Sequence, residues 1–485
     1  MRQVLYDLDG ADLMHALERR ISEQRFFGFE LGVMLTDVIY IELICGGGTW
    51  GLGASWKDFL RCIRYFALPI GGKGSPRSLP PGRVLVTCMS GTYRMAELIL
   101  PVVRQLGENK CIIMADKRDV LTMAPPGSET IMADDVMQFR HHVWRAEFWR
   151  CWPVWRDRLT EICQSYRLPR GALVRLALNI MLGSQRISGF LTFLDHYRPA
   201  AILTEYDRNH IWSALVLAAR AKGIPTFTMV HGVPSAQSHE GYVPIVADKV
   251  ICWGELSKGV FVSAGVPPEN ILICGCPRLN RELSATPAQG RTKLGIDVHK
   301  PVAMMGTAPI HCDEFLQLVE MFCRATERIE GISALVRLHP SEQLDTYSAI
   351  ARRHPSVHFF ANSEASLDES LAAADVIVVQ SSSLGSDALV KGRLSIVIDT
   401  PGLRLGPAQD LIERAHCPCA TTEDGLVTEL RRLLFNAAAR REQLVAAERY
   451  VRELCAAFGQ DSASRIADTI SVAASSAFTN RVVLP

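Results

Sequence analysis

Two stretches decide the fold: LVRLHP at residues 335–340 and ADVIVVQSSSLGSDALVKGRLSIVID at residues 374–399. Each contains a short apolar run, typical of a buried strand, that ends abruptly in polar residues. In open α/β sheets, ligands bind just beyond the carboxyl ends of parallel strands. The two stretches therefore predict neighbouring strands that bring one set of polar residues to a single ligand-binding rim: Arg337, His339, Pro340, Ser381, Ser382 and Ser383.

The same alternation of apolar strands and helical patterns extends outward on both sides of these stretches. Further strands are predicted at residues 83–89, 111–116, 200–207, 224–232, 247–254, 270–275, 301–309, 357–361 and 394–399. Strands that alternate with helices favour a parallel, doubly wound sheet. The predicted fold class is α/β, with two Rossmann-like doubly wound parallel-sheet domains facing across a cleft and an N-terminal helical extension.

The length of 485 residues exceeds what one hydrophobic core usually serves. We predict a mostly helical extension at 1–80 and an N-terminal α/β domain at 81–285 with a helical insert at about 134–197. A C-terminal α/β domain follows at 286–455, and a terminal helix and tail at 456–485.

Composition excludes several classes of protein. With 52 basic and 51 acidic residues the formal net charge is +1, which offers no general field for nucleic acid. The 14 cysteines lack the paired spacing of a disulfide framework or a zinc site, and we expect no metal. No secretory leader or membrane-spanning run is evident, so a cytoplasmic location is expected, with peripheral contact at the inner face of the membrane left open.

The rim residues of the C-terminal half suit an anionic ligand such as a phosphate. The three serines stand where a helix begins near Leu384, and their hydroxyls would bind an anion or simply cap that helix. Asp387 is placed to accept hydrogen bonds from a ribose, and Gly306 and Thr307 would let a nucleotide approach the backbone. His339 and Pro340 have the alternative of a purely structural role.

The N-terminal half offers polar strand ends of its own. On the acceptor side of the predicted cleft stand Ser90, Gly91, Thr92, Arg208 and Gly232. A transfer reaction needs a general base, and the candidates are Glu205, Asp207 and His231, of which His231 has the most suitable intrinsic pKa, near ~6.5. Asp207 and Arg208 would equally form a structural ion pair.

Two segments combine aromatic and basic residues. The Trp- and Arg-rich part of the insert, around Trp144 to Arg158, would line a groove for a large acceptor or pack its tryptophans into the core. Residues 56–66 would rest on an anionic bilayer or cap the next domain.

Four motifs in order give the sequence a specific resemblance: HGVPS at 231–235, ADKVICWGELSKGVFVSAGVPPENILICGCPRLN at 247–280, HP at 339–340 and ADVIVVQSSSLGSDAL at 374–389. Over roughly residues 83–470 the chain resembles nucleotide-sugar glycosyltransferases of the GT-B type. Within them it is most similar to bacterial capsular and surface polysaccharide enzymes, namely the CDP-glycerol glycerophosphotransferases and the Kdo and sialic-acid capsule transferases.

The resemblance implies a glycosyltransferase without a metal or other cofactor. Its nucleotide-sugar donor, CMP- or CDP-activated rather than UDP-activated, would be held by His339, the three serines and Asp387. The acceptor would be a hydroxyl of a cell-surface or capsular glycan, free or lipid-linked, on the N-terminal half. Two alternatives stay open: an enzyme similar to the non-hydrolysing UDP-N-acetylhexosamine 2-epimerases, and a non-catalytic component of polysaccharide assembly.

Overall fold

The computed structural model describes residues 82–88, 95–136, 143–165, 168, 171–208, 210–235, 242–308, 312–340, 342–401, 403 and 405–482. The predicted N-terminal extension and the candidate residues Ser90, Gly91 and Thr92 lie outside these ranges. In the described part, two parallel sheets with helices on their faces confirm the predicted fold class.

The N-terminal sheet has seven strands in the described residues, in the order β3-β2-β1-β4-β5-β6-β7. They are β1 (Val84–Cys88), β2 (Cys111–Ala115), β3 (Glu129–Met132), β4 (Ala201–Thr204), β5 (Thr226–Met229), β6 (Lys249–Cys252) and β7 (Ile271–Ile273). Because β1 pairs with both β2 and β4, the strand order reverses between β1 and β4. A crevice opens at such a switch point, beyond the carboxyl ends of the strands.

The C-terminal sheet repeats this plan with six strands among the described residues, in the order β10-β9-β8-β11-β12-β13. They are β8 (Val302–Gly306), β9 (Ser333–Arg337), β10 (Val357–Phe360), β11 (Val376–Val379), β12 (Leu394–Ile398) and β13 (Cys419–Ala420). Here β8 pairs with β9 and β11, so the switch point lies between β8 and β11. The predicted rim residues are the last residues of β8 and β9 or lie within the first few positions after β8, β9 and β11.

The described helices are connectors between the strands or cover the sheets. They are α1 (Leu100–Leu106), α2 (Arg118–Leu121), α3 (Ala133–Val136), α4 (Val143–Ser165), α5 (Ala172–Tyr197), α6 (His210–Ala221), α7 (Glu255–Ser263), α8 (Pro287–Lys293), α9 (Asp313–Glu327), α10 (Ser348–Arg353), α11 (Leu367–Ala373), α12 (Leu384–Val390), α13 (Ala408–Glu413), α14 (Glu423–Phe435), α15 (Ala437–Leu454) and α16 (Gly459–Val482). A wider helical turn, Met95–Ile99, leads into α1.

The segment predicted as a helical insert contains two long helices with different surroundings. α5 leads into β4, and its residues Leu176, Phe190 and Phe193 belong to the core of the N-terminal domain. On α4, Trp155 is buried in that core, whereas Trp149 is 59% exposed. α5 is therefore part of the sheet's covering layer, and Trp155 has the packing role that was one of the two expected.

The two domains are joined by the end of the chain as well as by the connection after β7. Helix α16 packs against α1 of the N-terminal domain, and one core cluster runs across the junction. The backbone at Gly254 and Gly275 lies very close to the backbone near the end of α15 and just beyond it. A Cβ at either glycine would collide with the carbonyl groups there. Gly275 also has a φ of 91°, which favours glycine.

Candidate functional site

The loops after β8 and β9 are clamped together by a buried carboxylate. The backbone N–H of His339 donates to Thr307 Oγ1 at 2.8 Å, and Thr307 Oγ1 in turn donates to Glu342 Oε2. Glu342 Oε1 accepts from the Tyr347 hydroxyl at 2.7 Å. Thr307 is only 2% exposed, so its hydroxyl serves this clamp. The space beside Gly306 is filled by the Leu384 side chain.

Arg337 lies next to this clamp and has no ion pair in the described part of the chain. It is the last residue of β9, and its Nε donates to Ser370 Oγ at 3.2 Å. Burial lowers the pKa of Arg337 to about 10, and the nearby carboxylate of Asp387 offsets this only in part. The guanidinium is still charged at neutral pH and has donors left over, which suits an anion such as a phosphate.

His339 is half-buried beside Arg337, and Pro340 is exposed. Burial lowers the pKa of His339, the charge of Arg337 lowers it further, and Glu342 opposes the change. The imidazole is therefore neutral at pH 7, with one donor and one acceptor nitrogen. It can bind a neutral part of a ligand without adding charge.

The serine loop after β11 shows the helix-capping use expected of it, and anion binding by its serines stays a prediction. Ser382 Oγ accepts from the backbone N–H of Leu384 at 3.2 Å, so this serine caps α12. The hydroxyls of Ser381 and Ser383 are half-buried and make no hydrogen bond within the described residues. Since α12 has only seven residues, its dipole is weak, and Arg337 provides most of the attraction for an anion.

Asp387 is already engaged in a way that the sequence interpretation missed. Its two carboxylate oxygens accept from Nη1 and Nη2 of Arg278, each at 3.1 Å. Both side chains are buried, at 10% and 6% exposure. Burial by itself would lower the pKa of Arg278, but the Asp387 carboxylate outweighs it and raises that pKa. The pair ties the connection after β7 to α12, and the ribose contact of Asp387 stays a prediction.

Two of the three candidate bases on the N-terminal side are buried in the scaffold. Asp207 is 2% exposed, and its Oδ2 accepts from the backbone N–H groups of Val246 and Ala247 at 2.7 and 2.8 Å. Burial raises the pKa of Asp207, although these two bonds oppose the shift. Glu205 is fully buried and accepts from the Cys88 thiol at 3.4 Å. Both carboxylates thus have structural contacts.

His231, the preferred base, is the most accessible of the three. Its ring is half-buried and lies between Tyr206 and Tyr242, with both centroids at 5.1 Å. A Cβ on Gly232 would be 2.7 Å from the Tyr242 hydroxyl, so a larger residue there would displace the tip of that side chain. Arg208, which is 3% exposed, donates from Nη1 to the carbonyl of Pro244 at 3.2 Å. Its predicted contact with an acceptor stays a prediction.

Glu97 is a carboxylate with a raised pKa that sequence reasoning did not select. It lies in the turn Met95–Ile99 that follows β1, and its side chain is exposed. Although it reaches solvent, the surrounding protein raises the pKa of Glu97 by desolvation. Arg278 opposes this shift, and Asp387 adds to it. The sequence did offer a signal for this residue: a carboxylate in the helical turn that follows the first strand of a doubly wound sheet.

Other features of the described chain lie away from this site. A cavity of about 790 Å³ lies next to Asp248 and Lys249, at the amino end of β6 and so at the opposite edge of the sheet. No cluster of three or more side chains that could hold a metal ion occurs in the described ranges. The Cys276 thiol stays protonated at neutral pH, because burial raises its pKa to about 12. None of the helices within those ranges is long and apolar enough to cross a membrane.

Comparison with known proteins identifies the fold. No protein-family model and no curated protein matches the sequence. Among solved structures, the chain is similar to UDP-GlcNAc 2-epimerase from Neisseria meningitidis bound to UDP-GlcNAc (TM-score 0.54, 13% identity, 80% of this chain and 99% of that chain). MnaA of S. aureus with UDP has a TM-score of 0.52 at 12% identity, covering 80% of this chain and 95% of that chain.

A glycosyltransferase from Rickettsia africae is similar to the same extent, with a TM-score of 0.51 at 10% identity, covering 81% of this chain and 99% of that chain. These likenesses establish the two-domain GT-B-like fold. Membership in the capsule-specific families indicated by the sequence motifs stays a prediction.

Proposed function

We propose that this protein is an enzyme that binds a nucleotide-activated sugar at the C-terminal rim and transfers the sugar to a hydroxyl of a glycan. The observation that carries the proposal is Arg337, a half-buried guanidinium at the end of β9 with no ion pair among the described residues. A diphosphate would supply the missing charge. The similar structures with UDP-GlcNAc and with UDP support a nucleotide in this fold.

The other candidate residues would bind the rest of the donor or activate the acceptor. Ser381 and Ser383 have hydroxyls that make no bond within the described residues, and neutral His339 would bind the sugar or the base. On the N-terminal side, His231 would take the proton from the acceptor hydroxyl, because Glu205 and Asp207 are buried among structural partners. The acceptor is proposed to be a surface or capsular polysaccharide, and the reaction to need no metal.

A thermal-shift screen against CMP, CDP, UDP and GDP tests nucleotide binding. A ligand at ~100 times its dissociation constant should stabilise the folded state by about 2.7 kcal/mol. The motifs favour a cytidine nucleotide, whereas the similar structures contain uridine nucleotides. The ranking of the four shifts decides between them, and no shift with any nucleotide would contradict the proposal.

A second candidate is epimerisation of the sugar while it stays attached to the nucleotide, favoured by the epimerases among the similar structures. The two reactions separate cleanly in one experiment. Conversion of UDP-GlcNAc into its 2-epimer without any acceptor, followed by NMR, would establish epimerisation. Release of free nucleotide only when a glycan acceptor is added would establish transfer. In either case His231→Ala should keep nucleotide binding and lose turnover.

A further inference from the structure

The indole of Trp253 holds the backbone next to the proposed base. Trp253 is the first residue after β6 and is only 2% exposed. Its Nε1–H donates to the carbonyl oxygen of Val230 at 2.8 Å, and Val230 directly precedes His231. Because a peptide unit is planar, the carbonyl of Val230 lies in one plane with the N and Cα of His231. A bond that fixes this carbonyl therefore fixes the direction in which the His231 side chain leaves the backbone.

The indole N–H acts where the sheet no longer holds the chain. Pairing of β5 with β6 ends at Met229 and Ile251, and one further backbone bond joins the N–H of Val230 to the carbonyl of Ile251 at 3.1 Å. Within the described residues, the Val230 carbonyl accepts from the indole and from no backbone N–H. Trp253 is itself anchored, because its carbonyl accepts from the backbone N–H of Ala456 at 2.8 Å. The indole thus extends the hold of the sheet up to His231.

The same indole contacts the ion pair that reaches the C-terminal rim. The guanidinium carbon of Arg278 lies over the Trp253 ring, 5.5 Å from its centroid, which is a cation–π distance. Both carboxylate oxygens of Asp387 hold Arg278, each at 3.1 Å. Asp387 lies in the first turn of α12, and its backbone N–H donates to the carbonyl of Ser383 at 3.0 Å. A series of direct contacts therefore joins the serine loop to the residue that orients His231.

A general base acts only in a defined geometry, because proton transfer needs the base within hydrogen-bond reach of the hydroxyl. A displacement of about 1 Å can lower a rate about 100-fold. We propose that Trp253 is a positioning residue for His231, and that its indole fixes this base relative to α12 and the serine loop. The inference rests on the proposed function, because it takes His231 as the base and the serine loop as part of the donor site.

The test compares Trp253→Phe with the matched control Trp212→Phe. Both tryptophans are buried in the N-terminal domain, but the Nε1–H of Trp212 makes no hydrogen bond within the described residues. In NMR spectra, nuclear Overhauser effects from the His231 Cε1–H to the rings of Tyr206 and Tyr242, whose centroids lie 5.1 Å from the imidazole, report its orientation. We expect them to weaken or vanish in Trp253→Phe and to persist in Trp212→Phe. The His231 resonance is assigned by its loss in His231→Gln.

Binding and turnover complete the comparison. Trp253→Phe should bind UDP and CDP as the wild type does in calorimetric titration, because Arg337 and the serine loop are unchanged. Its turnover of UDP-GlcNAc should fall about 10- to 100-fold, since the base is displaced while the donor is still held. Trp212→Phe should match the wild type in both measurements. The Overhauser effects decide the inference even where UDP-GlcNAc is not the substrate, because they need no ligand.

Unchanged Overhauser effects in a folded Trp253→Phe protein would overturn the inference while leaving the proposed function intact, and so would an equal loss in both tryptophan variants. Failure of the wild type to bind either nucleotide would overturn the proposed function itself. Should Trp253→Phe not fold, Arg278→Lys takes its place, because it keeps the charge but loses the forked bond to Asp387. Unchanged effects at His231 in that variant would overturn the inference alone.

Discussion

At the carboxyl ends of the N-terminal strands, Glu205 and Asp207 are buried and bonded to a thiol and to backbone N–H groups. At the carboxyl ends of the C-terminal strands, Arg337 and His339 are only half-buried, and Arg337 has no ion pair in the described chain. The two rims belong to sheets of the same design. The N-terminal rim uses these two carboxylates to hold the scaffold. The C-terminal rim engages Thr307 and Asp387 in the same way and leaves Arg337 without an ion pair among the described residues.

The difference shows that polar residues at strand ends do not by themselves locate a binding site. What matters is whether the polar groups are already paired. By that criterion Arg337 supports the proposed placement of the nucleotide at the C-terminal rim, and the proposed base at the N-terminal rim is the half-buried His231 rather than the buried Glu205 or Asp207.

The largest effect is expected from breaking the buried ion pair that ties the connection after β7 to α12 of the C-terminal rim. Arg278→Ala leaves the buried Asp387 carboxylate without its partner, which should lower the free energy of unfolding by about 3–5 kcal/mol. The matched control is Arg281→Ala, three residues away, whose pair with Glu448 is 45% and 44% exposed. That change should cost about 0–1 kcal/mol. Urea unfolding measures both, and equal losses would contradict a special role for the buried pair.

A smaller loss is expected at the N-terminal rim. Asp207→Ala leaves the backbone N–H groups of Val246 and Ala247 without an acceptor, at a cost of about 2–3 kcal/mol in unfolding free energy. Asp195→Ala removes an exposed pair with Lys222 and serves as the control. If Asp207→Ala were as stable as that control and lost nucleotide affinity instead, the structural role assigned to Asp207 would be wrong.

The smallest effect concerns the pH dependence of stability. Because burial lowers the pKa of His339, the folded protein binds a proton there less readily than the unfolded chain. The contribution of His339 to the free energy of unfolding is fully present above its unfolded pKa of about 6.5, and it is lost as the pH falls below that value. His339→Gln should therefore lose less stability than the wild type on acidification, measured by thermal unfolding. His358→Gln, at an exposed position of β10, should behave as the wild type.

Most of the sheet architecture was predictable because buried parallel strands appear as continuous apolar runs. The exceptions are edge strands. Glu129–Met132 is mostly half-exposed, and Cys419–Ala420 has only two residues, so neither has a hydrophobic pattern of its own. Helix α8, Pro287–Lys293, likewise has a polar composition without an apolar periodicity that would predict it.

The site was harder to predict than the fold because availability depends on distant partners. Arg278 and Asp387 are 109 residues apart, and no local pattern indicates their pairing. Asp207 looked like a base because it follows a strand, but its acceptors are occupied by a loop 39 and 40 residues further on. Burial raises the pKa of Glu97, and the charges that modify this shift, such as those of Arg278 and Asp387, are far from it in the sequence.

The most direct test of the account is calorimetric titration of UDP and CDP into the wild type, Arg337→Ala and the control Arg353→Ala, whose exposed pair with Glu320 lies away from the rim. Loss of charged hydrogen bonds to a phosphate should weaken nucleotide binding by about 10- to 100-fold in Arg337→Ala. Arg353→Ala should bind as the wild type does. Unchanged nucleotide affinity in a folded Arg337→Ala protein would contradict the assignment of the nucleotide to the C-terminal rim.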